Sequence, residues 1–110
     1  MPSSYGERGM STSPSELGAA LAQHVAVTDD TLVVDLVDGR TVSVPISWYP
    51  RLVDATPSER INWRLIGRGE GIHWSDLDED ISVVGLLAGR PSGETQTSLR
   101  RWLETRHSAR

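Results

Sequence analysis

Cysteine, lysine and phenylalanine are all absent from this chain of 110 residues. Without cysteine, neither a disulfide bond nor a thiolate metal site can form, which fits a reducing compartment, and we expect a cytoplasmic protein. No apolar run approaches the roughly 20 residues that a membrane-spanning helix needs. The first residues also lack the charged-then-apolar pattern of a secretory signal. We therefore expect no membrane association.

Because lysine is absent, the eleven residues with a permanently basic side chain are all arginines. The arginine fork binds carboxylate and phosphate through two parallel hydrogen bonds, so this bias could serve anion recognition. The codon bias of a high-GC genome explains it without any function, and we favour that explanation. A formal net charge of −4 weighs against simple coating of DNA, because phosphate binding requires a positive surface.

Without phenylalanine, the core must be built from valine, leucine, isoleucine and the four tryptophans. The chain is long enough for one domain. Residues 1–15 are rich in Ser, Gly and Pro and predict a disordered leader. Residues 16–90 predict a single α+β domain, an antiparallel β-meander or hairpin packed on short helices, in which a first short helix starts at Ser15. Residues 91–110 predict a linker and a C-terminal helix.

The segment TLVVDLVDGRTVSVPI predicts a β-hairpin whose register can be derived. A two-residue turn would place the apolar side chains on the face of Thr41 and Ser43. A three-residue turn over residues 37–39, with Gly39 left-handed, places apolar side chains on one face instead. Because a slip of one residue inverts every side chain, the second register is favoured. It pairs Leu32 with Val44, Val34 with Val42 and Leu36 with Arg40. The preceding HVAVTD predicts a third strand.

The clearest local signal is TPSERINWRLIG. Thr56 as N-cap and Glu59 three residues later form a capping box, with Pro57 at the first helical position. Gly67 could supply the left-handed residue that ends a helix. We therefore predict a helix from Pro57 to Ile66, with Ile61 and Leu65 facing the core.

Shorter patterns predict the remaining elements. A helical turn near Pro50 places Leu52 and Val53 inward, and GIHW suits a brief strand. DISVVGLLAG is compatible with a strand or with a short helix after Ile81, and we favour the helix. TQTSLRRWLETR predicts a terminal helix.

Arg60, Arg64 and Arg68 recur every four residues and would form one basic row on the predicted helix. Arg51 could extend it. The row could contact a nucleic-acid backbone or an acidic partner, and the basic tail would add to it. Pairing within the chain, with Glu59 or with the acidic run DLDED, is the alternative that we favour.

The glycines of IGRGEG do not form a nucleotide-binding fingerprint. That motif needs glycines between a strand and the start of a helix, where backbone N–H groups face the phosphate. On our prediction, Gly67, Gly69 and Gly71 follow the end of a helix. We expect a turn in which glycine adopts positive φ angles without steric cost.

Asp76, Asp78 and Asp80 match the first three ligand positions of an EF-hand calcium loop. The motif then requires glycine and, at the twelfth position, glutamate, where this chain has Ile81 and Leu87. The match is therefore partial. We favour a solvated acidic turn that caps the following element.

A cation site of another type could use Asp76, Asp78 and Glu79. His73 could be a ligand or a general base beside these acids. A lone histidine is more often a packing or surface residue, and we expect no metal, no cofactor and no catalytic residue.

Leu99, Trp102 and Leu103 lie at i, i+3 and i+4 and form an apolar stripe on the terminal helix. The stripe either docks on its own domain or covers the groove of a partner. These three residues are our candidates for protein binding.

Taken together, residues 25–90 closely resemble the prokaryotic domain-of-unknown-function family 2442. The resemblance implies a small α+β fold, and it brings no catalytic residues because no activity is established for the family. Some relatives continue into a helix-turn-helix domain, whereas this chain has room for only one helix after Gly89. Others are encoded beside a second small protein, as in toxin–antitoxin pairs. The motifs that carry the resemblance are Asp38-Gly39-Arg40, Pro50-Arg51-Leu52, Ala55-Thr56, Arg60, Trp63, Gly67, Gly69, Gly71, Trp74, Leu77-Asp78-Glu79-Asp80-Ile81 and Leu86-Leu87-Ala88-Gly89.

We predict a non-enzymatic protein-binding module, the antitoxin-like or adaptor member of a small two-protein system. Its expected partner is a protein, and self-association is compatible with the sequence. A nucleic-acid-associated regulator that uses Arg60, Arg64 and Arg68 is the alternative. A metal-dependent enzyme at the acidic turn ranks third.

Overall fold

A computed structural model describes residues 20–108. It shows two antiparallel three-stranded sheets and several short helices, which confirms the predicted α+β class. The predicted leader, and all but the last residues of the helix predicted from Ser15, lie outside the described residues. The strands are β1 (Ala22–Val27), β2 (Thr31–Leu36), β3 (Thr41–Pro45), β4 (Trp63–Ile66), β5 (Gly71–Trp74) and β6 (Glu79–Ser82). The helices are a 3₁₀ turn (Ile46–Trp48), α1 (Pro50–Val53), α2 (Pro57–Ile61), α3 (Val83–Leu87) and α4 (Gln96–Ser108).

The first sheet has the order β1-β2-β3 and the predicted hairpin register. Leu32 pairs with Val44 and Val34 pairs with Val42. The Leu36 N–H donates to the carbonyl of Arg40 at 2.8 Å across the three-residue turn. Gly39 has a φ of +98°, as a left-handed turn residue requires. The predicted third strand is β1, which pairs with β2.

The helix predicted from Pro57 to Ile66 is wrong in its second half. The capping box is present, but α2 ends at Ile61, whose side chain is 75% exposed rather than facing the core. Asn62 leaves the helical region, and residues 63–66 form β4. Trp63 and Leu65 are half-buried while Arg64 and Ile66 are exposed, so the side chains alternate with period two. Pairing with β5 therefore outweighs the helical signal.

The second sheet has the order β4-β5-β6. The predicted strand at GIHW is β5, whereas β6 was not predicted. The predicted short helix after Ile81 is α3, whose N-cap Ser82 accepts a hydrogen bond from the Gly85 N–H. Gly89 follows α3 with a φ of +75°.

The core between the elements is apolar, with no buried polar or charged residue in the described part of the chain. Trp74 is fully buried at its centre, and its indole N–H donates to the carbonyl of Arg60 at 3.1 Å. Leu52 is buried as predicted, but Val53 is 49% exposed, so its predicted inward placement is wrong. No helix within residues 20–108 is long and apolar enough to cross a membrane.

The two sheets are joined at the turn between β4 and β5. Gly69, in this turn, has a φ of +105°, and its carbonyl accepts a 2.8 Å hydrogen bond from the Ala22 N–H. A Cβ atom at Gly69 would lie 2.4 Å from the Ala22 carbonyl oxygen, which is rigid backbone. Only glycine therefore allows this approach.

We expect Gly69→Ala to lower the free energy of unfolding by about 3 kcal/mol or more, because it combines backbone strain with a clash against β1. Gly39→Ala has a similar positive φ but open space around the new methyl group, and it should cost about 1 kcal/mol. Gly93→Ala, with neither constraint, is the neutral control. Urea unfolding of the three variants checks this order, and equal stabilities of Gly69→Ala and Gly39→Ala would contradict it.

Candidate functional site

The C-terminal helix α4 docks on the domain through Trp102. Two guanidinium groups lie over the indole ring, with the Arg51 Cζ 4.9 Å and the Arg106 Cζ 4.7 Å from its centroid. Trp102 is half-buried and packs against the core. Of the two arrangements left open by the sequence, the structure therefore shows docking on the chain's own domain for this residue.

Arg51 is one of the two arginines that hold Trp102. Its Nε lies 2.9 and 3.0 Å from the two carboxylate oxygens of Glu94, and its Nη2 lies 2.7 Å from Oε2. Its Nη1 also donates to the carbonyl of Leu77 at 2.9 Å. The hydrogen bonds from Arg51 lower the pKa of Glu94, and those to Glu94 raise the pKa of Arg51. The pair ties α1 to the segment that precedes α4.

Arg106 is the second arginine that contacts Trp102. Its Nη2 and Nη1 donate to the two carboxylate oxygens of Glu59 at 2.9 and 3.1 Å, and its Nε donates to Asp54 at 3.1 Å. The hydrogen bonds from Arg106 lower the pKa of Glu59 to about 2. Glu59 also accepts the Thr56 N–H in the capping box, so one carboxylate caps α2 and holds α4.

Beside Trp102, an apolar groove runs between α1 and α4. Pro50 and Val53 form one wall, Leu99 and Leu103 form the other, and the volume is about 350 Å³. Ser47 and Asp54 complete the lining. Of the three predicted protein-binding residues, Trp102 therefore anchors the helix, while Leu99 and Leu103 are half-buried along the groove.

The predicted basic row on one helix is wrong, because α2 ends before Arg64. Arg60 is in α2, Arg64 is in β4 and Arg68 is in the turn after β4. Arg60 donates to the carbonyls of Leu52 and Val53 and to Asp29, while Arg51 is paired with Glu94. Nucleic-acid contact by these four arginines stays a prediction, but the row on one helix that suggested it is not present.

The glycine run forms a turn, as expected, but between two strands rather than after a helix. Gly67 has a φ of +64° and Gly69 one of +105°, while Gly71 starts β5. The interpretation of Gly67 as the end of a helix is therefore wrong.

Asp76 and Asp78 of the acidic run lie in the hairpin loop between β5 and β6, whereas Glu79 and Asp80 begin β6. Asp76 accepts a 2.9 Å hydrogen bond from the Asn62 side chain, and Asp78 has a left-handed φ of 51°. Asp80 pairs with Nδ1 of His73 across the two strands. Within residues 20–108, no three His, Cys, Asp or Glu side chains converge to hold a metal ion.

Glu79 differs from its acidic neighbours because it lies on the inner face of β6. Along this strand Glu79 and Ile81 are the more buried residues, while Asp80 and Ser82 are exposed. Partial burial, together with the negative charges of Glu94, Asp80 and Asp78, raises the pKa of Glu79 to about 7, and Arg51 opposes the shift. The carboxyl lines a cavity of about 250 Å³.

Glu94 and Tyr49 were not predicted as site residues, and Arg106 was considered only as part of the basic tail, not as the partner of Glu59. Glu94 lies in the predicted linker and Arg106 in the predicted helix, and their partners are 43 and 47 residues away. No local spacing indicates such pairs. Tyr49 is almost fully buried. Its position directly before Pro50 was the only feature of the sequence that could have indicated this.

Comparison with known proteins identifies the family. The family model described as protein of unknown function (DUF2442) matches residues 22–92. The chain belongs to this family. The match covers both sheets and α3, so the suspected resemblance is confirmed, and the DUF2442 family itself carries no assigned function.

Two solved structures are similar to this DUF2442 chain. A crystal structure of a protein of unknown function from Rhodospirillum rubrum is 29% identical, with a TM-score of 0.58, and the match covers 71% of this chain and 94% of that one. A solution NMR structure of an uncharacterized protein from Chromobacterium violaceum is 19% identical, with a TM-score of 0.61, covering 91% and 90%. The second shows likeness of fold alone. No curated protein matches the chain.

The raised pKa of Glu79 predicts a stability change with pH. Its ordinary value is 4.5 and its folded value is about 7, so the folded state binds the proton more tightly. The contribution of Glu79 to stability is greatest below pH 4.5, falls as the pH rises towards 7 and is then constant. The shift corresponds to roughly 3 kcal/mol, which solvent screening reduces to about 1–2 kcal/mol.

Glu79→Gln, which mimics the neutral carboxyl, should therefore be more stable than the wild type at pH 8 by about 1–2 kcal/mol and nearly equal at pH 5. Urea unfolding at both pH values measures the difference. Asp76→Asn removes a charge from the same loop without the buried environment, and it should show no gain at pH 8. A Glu79→Gln variant that is less stable at pH 8 would contradict the account.

Proposed function

We propose that this protein is a non-enzymatic protein-binding module that receives an apolar segment of a partner in the groove between α1 and α4. The observation that carries the proposal is the groove itself. Pro50, Val53, Leu99 and Leu103 converge from two helices on one concavity, whose volume lies in the range of roughly 300–1,000 Å³ typical of ligand pockets. Apolar patches left open to solvent mark interaction surfaces.

The groove suits an amphipathic helix better than an extended strand. Both walls are helical, and an amphipathic helix places side chains at i, i+3 and i+4 into such a groove. The chain carries a formal net charge of −4, so a partner with basic residues around its apolar stripe would be attracted and oriented. We therefore assign a basic amphipathic segment of a second protein to the groove.

The biological role that fits is the antitoxin-like or adaptor member of a small two-protein system. The support is the resemblance, since some relatives are encoded beside a second small protein. A nucleic-acid role has less support, because the guanidinium groups of Arg51 and Arg60 already donate hydrogen bonds to Glu94, Asp29 and backbone carbonyls.

Two matched substitutions test the groove. Val53 and Ile61 are each the last residue of a short helix with an exposed apolar side chain, and only Val53 lines the groove. The tagged wild type, Val53→Gln and Ile61→Gln are used to capture proteins from a lysate of the source organism. A captured partner is then purified and its binding is measured by calorimetry.

We expect a basic partner that Val53→Gln binds at least about tenfold more weakly, a change of about 1.4 kcal/mol, and that Ile61→Gln binds like the wild type. Thermal unfolding controls for the fold of each variant. Equal binding by Val53→Gln and the wild type would refute the groove as the site. Capture of nucleic acid without protein would transfer support to the arginines.

A further inference from the structure

The cavity that contains Glu79 lies apart from the groove. It is bounded by β6, by the first turn of α3 and by residues 90–93 of the linker, and its volume is about 250 Å³. The linker is fixed over it, because the Ser92 N–H donates to the carbonyl of Trp48 at 3.0 Å. The walls of the cavity therefore belong to ordered segments on both sides.

The Glu79 carboxyl is unpaired within this cavity. No hydrogen-bond donor or ion-pair partner contacts it among the residues that the structure describes. Every sealed polar side-chain atom in the same part of the chain has a hydrogen-bond partner, so the Glu79 oxygens remain open to the cavity. A partly buried carboxylate without a donor is unfavourable, and a ligand that supplies donors would relieve this cost.

Other acceptors surround the carboxyl. Tyr49 is 4% exposed and lines the cavity, and its hydroxyl donates to the carbonyl of Arg90 at 3.3 Å, which leaves its oxygen able to accept. Ser82, whose hydroxyl accepts the Gly85 N–H, also lines the cavity. Burial is the main reason for the raised pKa of Glu79, and the positive charge of Arg51 acts on Glu79 more strongly than any one of Glu94, Asp80 and Asp78. Arg90 also lines the cavity. The cavity thus offers the acceptor side chains of Glu79, Tyr49, Asp80 and Ser82, with Arg90 as the one basic residue among the described residues that line it.

We propose that this cavity binds a small organic cation with N–H donors, a guanidinium or a primary ammonium group, with Glu79 as its counter-ion. Guanidinium N–H groups would bond the two carboxylate oxygens in the bidentate manner that arginine shows towards acids. The phenol oxygen of Tyr49 would accept a further hydrogen bond. An anion would be repelled by the Glu79 carboxylate, and an apolar ligand would leave this carboxylate unpaired.

Binding of the cation and of a proton to Glu79 should exclude each other. Since the pKa of the carboxyl is about 7, it is mostly ionised at pH 8 and mostly protonated at pH 5.5. Affinity for a cation should therefore be roughly thirtyfold higher at pH 8 than at pH 5.5.

Methylguanidinium chloride is a suitable probe, followed by amide chemical shifts of the full chain in NMR titrations at both pH values. We expect saturable shifts confined to residues near 79–93, weaker at pH 5.5, and lost in Glu79→Gln. Asp76→Asn, which removes one negative charge from the same hairpin loop, should retain binding. Tetramethylammonium carries the charge without N–H donors and should bind at least tenfold more weakly.

Three results would overturn the proposal. The first is the absence of saturable shifts at pH 8, and the second is equal binding by Glu79→Gln. The third is equal binding of tetramethylammonium, which would show that charge alone accounts for the effect. The thermal unfolding of Glu79→Gln at pH 8 shows separately that the variant is folded.

Discussion

Two arginine–carboxylate pairs beside Trp102 hold the C-terminal helix against the domain. Arg51 binds Glu94 and Arg106 binds Glu59, each through both carboxylate oxygens, and both guanidinium groups lie over the indole ring. A helix of 13 residues is marginal in water when it is isolated. Its position, and with it one wall of the groove, therefore depends on these contacts.

Glu59 connects this attachment to the rest of the fold. It caps α2 through the Thr56 N–H and accepts both hydrogen bonds from Arg106. The arginine side chains are 15% and 10% exposed, so the pairs are shielded more than ordinary surface ion pairs. Removing one partner of a shielded pair leaves the other uncompensated, which costs more than the pair contributes. The arrangement favours one orientation of α4 over others.

The features that could be predicted from the sequence are local ones. The hairpin register followed from one apolar face and Gly39, and the capping box from Thr56 and Glu59. The helix beyond Ile61 was wrong because residues 63–66 suit either a helix or a strand, and pairing of Trp63 with Trp74 decides between them. Leu99 and Leu103 could be predicted from the sequence as part of an apolar stripe, but the opposite wall of the groove could not.

The attachment of α4 could not be predicted because its pairs join residues far apart in sequence. The inward orientation of Glu79 likewise depends on strand β6. This strand was not predicted, because the alternating aspartates indicated a solvated turn. A helix or a strand can be recognised from the spacing of its apolar residues when one of its faces is apolar. A carboxyl on the inner face of a four-residue strand gives no such pattern.

The central claim is that α4 is docked through Arg106 and Arg51, and native-state amide hydrogen exchange tests it most directly. Amides of residues 99–107 should be protected in the wild type. Arg106→Lys keeps the charge but loses the two-pronged hydrogen bonding, and it should lower this protection by roughly tenfold. Arg101→Lys, on the exposed side of the same helix, should leave it unchanged, and β2 and β5 should be unaffected in both variants. Unprotected helix amides in the wild type, or equal protection in both variants, would contradict the account.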